Sequence, residues 1–274
     1  MKRTFWVISL ILIYISNCYG WGQKGHDVIA YIAECRLTKQ TLSVLDSILD
    51  NKSIVYYSNW LDNASHTPEY AFTKTWHYKN IDATETYEEA YEEPKGNIVR
   101  ALQEYIYKLS LKNITKEESA FAVKLIIHLM GDLHQPMHMG RLSDLGGNKH
   151  KVIYFNKDNN LHSVWDSSIV ESGHKWSYTE WSNQLDRNLT DEEINQYVQG
   201  DINSWGKATY LIAQTIYDST PQYHKISYDY IAKWTPVIET QFLKGGLRLA
   251  DILNTLFDDN YKPINSEIRS YFLL

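Results

Sequence analysis

The chain has 274 residues, 43% hydrophobic and 22% charged, with 33 acidic against 27 basic side chains. That balance excludes a disordered or collagenous chain, and it excludes a protein that grips nucleic acid through bulk positive charge. It leaves a folded protein long enough to bury a sizeable core.

The first twenty residues read as a leader. Lys2 and Arg3 make a basic start, Phe5 to Ile15 an apolar run of eleven, and Cys18 and Gly20 are small residues ahead of a cut before Trp21. The run is too short to span a bilayer as a helix and fits a secretory signal. A lipoprotein signal modified at Cys18 is the second reading, which Ser16 and Asn17 fit less well. The expected organisation is a signal peptide over residues 1–20 and one domain over 21–274, secreted or periplasmic. No other apolar run is long enough for a membrane span, and no obligate protein partner is evident. Loss of Lys2 and Arg3 leaves 25 basic against 33 acidic residues, a net charge of −8. A polyanionic substrate would then need bound cations to attract it. Cys35 is the one cysteine left after the cut, so no internal disulfide is expected. Its apolar helical surroundings read as burial of a small hydrophobe. Sequons stand at Asn51, Asn63, Asn113 and Asn188 and matter only in a eukaryotic secretory route.

Taken in order, residues 24–49 read as one helix, with apolar side chains from Val28 to Leu49 at spacings of three and four. A second runs from Asn97 to Leu109. A third, Lys116 to Leu133, is apolar nearly all round and so reads as central and buried. Pro136 ends it. Lys149 to Phe155 alternates like a strand, and the turn-like Lys157 to Asn160 suggests a small hairpin. Helices follow over 202–217, 228–242 and 247–257, the last two separated by Gly245-Gly246. The fold class expected is all-α, a single mostly helical domain with a minor β-hairpin.

The chemistry sits in HLMGDLHQPMH, residues 128–138, and LHSVWD, residues 161–166. In each, a histidine precedes an aspartate by four residues: His128 and Asp132, then His162 and Asp166. On a helix that spacing puts both side chains on one face. Imidazole and carboxylate together suit zinc and related divalent metals. An unpaired Asp132 in an apolar helix would be costly, and either metal coordination or a His–Asp hydrogen bond would relieve it. The repeat of the spacing favours metal. His138, His26 in WGQKGH, Asp62 in SNWLD and His77 in WHY join the candidate ligands. His134, inside the motif, reads as a residue that orients a ligand. His66, His174 and His224 stand in polar contexts and read as surface residues.

These motifs, with GGN at 146–148, resemble the secreted zinc-dependent class I nucleases: fungal single-strand-specific nucleases, plant bifunctional nucleases and their bacterial relatives, of the phospholipase C/nuclease superfamily. The resemblance covers residues 21–166 with the ligand order kept throughout. It implies a helical phospholipase C/nuclease fold and three Zn2+ ions. One ion would be held by Asp62, His77, His128 and Asp132. A second would be held by the amino group and carbonyl of Trp21, His26 and the shared Asp132. The third would be held by His138, His162 and Asp166. It further implies cleavage of single-stranded DNA and RNA to 5′-phosphate products, and removal of phosphate from 3′-nucleotides. Asp132 and Asp82 would be catalytic, the latter matching a family acid near the base and the attacking water. Tyr78 and Asn148 would bind substrate, Tyr78 by stacking or simply by packing beside the site. Ser168 stands where some relatives carry an asparagine that helps hold phosphate. The absent disulfides point to a bacterial-type member. Two rival functions stand beside this one. A zinc phospholipase C typically ends the ligand set with Glu where this chain has Asp166, and lacks a histidine at the place of His134. A secreted zinc-binding protein without catalysis would need no open coordination position.

Overall fold

A computed structural model describes residues 21–268. The proposed leader, residues 1–20, lies outside the described residues.

The amino-terminal helical pattern breaks into two helices, α1 (Gln23–Glu34) and α2 (Lys39–Ile48). The expected single helix over 24–49 is thus corrected. Thr38 stops it by acting as an N-cap whose side chain accepts the Thr41 amide. Asn254 fastens the break, taking the Thr38 amide at 2.9 Å and giving to the Arg36 carbonyl at 3.0 Å. Cys35 sits at that break and is exposed, contrary to the buried reading, because the helix ends there and turns its face outward. Short helices α3 (Ile54–Tyr57) and α4 (Trp60–Ala64) and a 3-10 helix (Ala71–His77) follow. Then come α5 (Ile98–Ser110), capped by Asn97, and α6 (Lys116–Leu133), opened by a reciprocal Thr115–Glu118 capping box.

Helix α6 is the axis of the molecule, its carboxy-terminal two-thirds buried between α5, α1 and α12 (Tyr228–Phe257). One apolar cluster surrounds α5 and α6, with Leu102, Ile126, Leu129 and Leu253 at its centre. A second, rich in tryptophan, gathers Trp21, Trp165, Trp181, Trp234 and Phe242. The two meet along α1 and α12. After α6, Pro136 opens a 3-10 turn (Pro136–Met139) rather than another full helix.

A hairpin forms, but the residues read as its turn are its second strand: β1 (Lys151–Tyr154) pairs antiparallel with β2 (Lys157–Asn160), Lys151 opposite Asn160, and the turn falls at Phe155-Asn156. Phe155 and Asn156 both take positive φ, 45° and 64°, as a two-residue turn of this hand requires. A three-residue strand, β3 (His224–Ile226), joins β1 in parallel, too short to leave an alternating pattern. Helix α7 (Leu161–Ser163) passes through a π-turn (Val164–Ser168) into α8 (Ile169–Gly173). Next come α9 (Tyr178–Leu185), α10 (Asp191–Val198) and α11 (Ile202–Ser219). Among the described residues no helix is long and apolar enough to cross a membrane.

The two carboxy-terminal helices expected on either side of Gly245-Gly246 are one, α12, which runs unbroken through Pro236 and the glycine pair. The glycines serve packing: a Cβ at Gly246 would lie 2.5 Å from Ile32 Cβ on α1. Gly246→Ala is expected to lower stability. Overpacking costs about 1–3 kcal/mol, against a helix-propensity gain of about 1 kcal/mol. Thermal unfolding of the variant measures the difference, and an unchanged or higher Tm would contradict this packing.

Candidate metal centre

Helix α6 presents His128 and Asp132 one turn apart, both fully buried, with His128 Nε2 at 3.1 Å from Asp132 Oδ2. Three other elements close around them. The 3-10 helix after α4 ends on His77, whose Nδ1 lies 3.0 Å from Asp132 Oδ2 and 3.1 Å from His128 Nε2. Helix α4 brings Asp62 Oδ1 to 3.4 Å from His128 Nε2. Helix α1 brings His26 Nε2 to 3.3 Å from Asp132 Oδ1, its ring stacked on His128 with centroids 4.2 Å apart. Gly131 makes that approach possible, since a Cβ there would collide with the His26 ring.

The second cluster is built from the 3-10 turn and the π-turn segment. His138 and His162 face each other with ring centroids 5.3 Å apart, and His162 Nε2 is 3.1 Å from Asp166 Oδ2. His138 Nδ1 lies 3.5 Å from Asp132 Oδ1, so the clusters adjoin. In three groupings the donor atoms fall within 4.8 Å of one another: His26, Asp62 and His128; His77, His128 and Asp132; His138, His162 and Asp166.

These distances suit a metal. Ligands at 2.0–2.1 Å in a tetrahedron stand about 3.3–3.4 Å apart. Hydrogen bonding leaves the donors unsatisfied: both ring nitrogens of His26, His77 Nε2, Asp62 Oδ1 and Asp132 Oδ1 are buried without a hydrogen-bond partner. Each such atom costs about 1–3 kcal/mol, and coordination would remove much of that cost. Main-chain carbonyls fix three rings from behind. His128 Nδ1 pairs with Ser58 O at 2.7 Å, His138 Nδ1 with His77 O at 2.5 Å and His162 Nδ1 with Gly146 O at 2.6 Å. Outer partners of this kind set the tautomer and orientation of a ligating histidine.

The electrostatics are those of a buried charge cluster. Burial would raise the Asp132 carboxyl, but His128 and His138 outweigh it and hold it well below the usual carboxylate range. Burial opposes charge on His128 as well, yet Asp132 and Asp62 push it up to about 9. Burial brings His138 down to about 4 and lifts Asp166 to about 6.

Trp21 is fully buried, its indole edge-on to Phe242 with centroids 4.7 Å apart. The next amide, Gly22 N, bonds Asp166 O at 2.7 Å, which ties the start of the described chain to the second cluster. Tyr78 is half-buried directly after His77. Asp82 accepts the Ser143 amide at 2.9 Å, and Asn148 Nδ2 gives to Leu145 O at 2.9 Å, so both brace the 141–148 loop. His134 does not reach a ligand. Its Nδ1 gives to Met130 O at 2.8 Å and its Nε2 receives Arg248 Nη1 at 2.8 Å, which pins the end of α6 to α12. Of the histidines read as surface residues, His66 is exposed, whereas His174 is partly covered, with Nε2 2.9 Å from Glu239 Oε1.

Gln135 went unread in the sequence. It is fully buried, gives its amide to Asp166 Oδ1 and accepts the Met137 amide at 2.5 Å. Its place between His134 and Pro136 was the available signal. The carbonyls of Ser58, His77 and Gly146 leave no signal in side-chain identity.

A helical domain that sinks three ligand groups of this kind into its core belongs among the metal-dependent enzymes. Residues 21–258 match the family model described as S1/P1 Nuclease, and the chain belongs to that family. It is 28% identical to Nuclease S1 of Aspergillus oryzae, over 93% of this chain and 98% of that one. It is 26% identical to Endonuclease 3 of Arabidopsis thaliana, over 94% and 96%. It is 27% identical to Nuclease P1 of Penicillium citrinum, over 86% and 97%. The protein is therefore a nuclease, a hydrolase acting on nucleic acid.

Proposed function

We propose that the protein is an exported endonuclease that uses three zinc ions to cut single-stranded DNA and RNA to 5′-phosphate products, and that it also removes phosphate from 3′-nucleotides. The observation that carries this reading is the pair of adjoining buried clusters of histidine and aspartate, the first of them with donor atoms on His26, Asp62, His77 and Asp132 that no hydrogen bond satisfies. Asp62, His77, His128 and Asp132 would hold one ion, Trp21, His26 and Asp132 a second, and His138, His162 and Asp166 the third. Bound zinc supplies Lewis acidity and a water of lowered pKa at neutral pH. The protein's part is to hold that chemistry in place. Asp132 stands between His26, His77 and His128, a carboxylate positioned to be shared. Tyr78 directly follows His77, and an aromatic ring turned toward substrate from that position would accept any unpaired base. Asp82 and Asn148 are assigned to the substrate side through the loop they brace. The leader over 1–20 and a single domain over 21–274 complete the reading, supported by a family match that starts at Trp21.

The test uses protein beginning at Trp21, with zinc measured per chain and products identified by mass on matched single-stranded and duplex oligonucleotides. Equal rates on both, or products ending in 3′-phosphate, would overturn the substrate assignment. At most one zinc in fully active protein would overturn the cofactor assignment. Tyr78→Ala is expected to weaken single-strand binding by about 1–3 kcal/mol if the ring stacks on a base. Unchanged affinity would reduce Tyr78 to a packing residue.

A further inference from the structure

Arg141 stands three residues after His138, where the 3-10 turn gives way to the 141–148 loop. Its guanidinium carbon lies 4.2 Å from the centroid of the Tyr217 ring. Its Nε is buried and has no hydrogen-bond acceptor. Among the ion pairs of the described residues none includes Arg141. The nearby carboxylate, Asp144, is engaged elsewhere, accepting the Tyr217 hydroxyl at 2.9 Å and the Gly147 amide at 2.7 Å. Asp82, the other acid on this side, accepts the Ser143 amide.

A second donor stands unused on the neighbouring helix. Gln214 is on α11 three residues before Tyr217, a spacing that shares a helix face. Its Nε2 is also buried without an acceptor. Both donors stand next to Tyr217, one stacked on its ring and one a helical turn before it, and an acceptor-rich ligand at that place would satisfy the two together.

The place is beside the reaction centre. Gly146 N bonds Arg141 O at 2.8 Å, while Gly146 O holds His162 Nδ1 at 2.6 Å, so one residue links Arg141 to a candidate ligand. The loop is rigid: Leu145, Gly146 and Gly147 all take positive φ, and each is held by a hydrogen bond from its own amide.

We propose that Arg141, seated on Tyr217, and Gln214 form a phosphate-binding subsite beside the His138–His162–Asp166 cluster that holds a phosphate of the substrate strand next to the scissile one. This rests on the nuclease reading above and adds a contact outside the metal centre. A planar guanidinium held on an aromatic face presents its remaining N–H groups to phosphate oxygens, a task for which Arg is better shaped than Lys. In a chain of negative net charge, an arginine with no acidic partner also supplies the local attraction that the whole molecule lacks.

The experiment uses the zinc-loaded enzyme. Binding of a slowly cut phosphorothioate oligothymidylate is measured by anisotropy across a salt series, with KM on unmodified oligothymidylate and on a 3′-nucleotide alongside. Arg141→Ala is expected to weaken oligonucleotide binding about tenfold and to flatten the log–log salt slope by about 0.7, the share of one phosphate contact on a single strand. KM should rise more on the oligonucleotide than on the 3′-nucleotide. Arg141→Lys should recover the salt slope but only part of the affinity, and Gln214→Ala should weaken binding without changing the slope. Lys262→Ala, an exposed cation elsewhere, serves as the reference for general charge. An Arg141→Ala protein with wild-type affinity and slope would overturn the subsite, as would equal KM changes on both substrates. Wild-type enzyme that fails to cut the oligonucleotide at all would instead refute the parent nuclease reading.

Discussion

A protein made with one methionine retained ahead of Trp21 is expected to fold, to bind one zinc fewer and to lose most of its turnover. The indole of tryptophan is a donor only and cannot ligate a metal. The proposed ligands are the α-amino nitrogen of Trp21 and its carbonyl oxygen, closing a five-membered chelate. A preceding residue converts that amine to an amide, a poor ligand. The free amine has an ordinary pKa of about 7.7–8.0, so near neutrality a metal displaces its proton readily. The surroundings make the substitution local. Trp21 is fully buried against Phe242, and the Gly22 amide is fixed to Asp166 O, so the start of the domain has a defined seat. Zinc per chain and turnover of the extended and exact proteins, compared at equal Tm, make the measurement. Full zinc and full turnover in the extended protein would defeat the chelate and revive attachment through Cys18.

Asp132→Ala is expected to remove more than one zinc and to cut turnover by well over the 10–100-fold usual for losing a mere outer partner of a metal ligand. The carboxylate lies 3.0–3.3 Å from ring nitrogens of His77, His128 and His26, so its loss strips a contact from three ligands together. It also deprives His128 of the charge that, with Asp62, holds it up to about 9. Breaking a buried pair by removing one partner costs about 3–5 kcal/mol, so the alanine protein is expected to be less stable as well. Asp132→Asn keeps the shape while halving the ligand capacity, and separates folding from chemistry. A variant retaining three zincs would show that Asp132 is not shared.

Much of the centre was legible because its ligands are polar side chains embedded in apolar helices. His128 and Asp132 stand out among Leu125, Ile126, Leu129 and Met130, and α6 was readable to its ends. His162 and Asp166 share the same spacing, although there it spans a π-turn instead of a regular helix. What stayed hidden depends on contacts between distant segments. The break at Cys35 needs Asn254, over two hundred residues away, and the continuity of α12 through Gly245-Gly246 needs Ile32 on α1. Local pattern reading treats a glycine pair as a stop; close helix packing makes it a seam. Strand β3 and helices α9 and α10 escaped because each is short and takes its stability from its neighbours.

The ligand groups divide between the two apolar clusters. Asp62, His77, His128 and Asp132 stand on elements of the α5–α6 side, while Trp21, His138, His162 and Asp166 stand on elements that pack into the tryptophan-rich side. Of the proposed ions, the one held by Trp21, His26 and Asp132 spans the two sides, and it would act as a rivet where they meet along α1 and α12. A binder selective for the folded form stabilises it in proportion to its supply. On the proposed reading, surroundings that withhold the metal would not merely silence the nuclease but loosen the start of its domain to proteases.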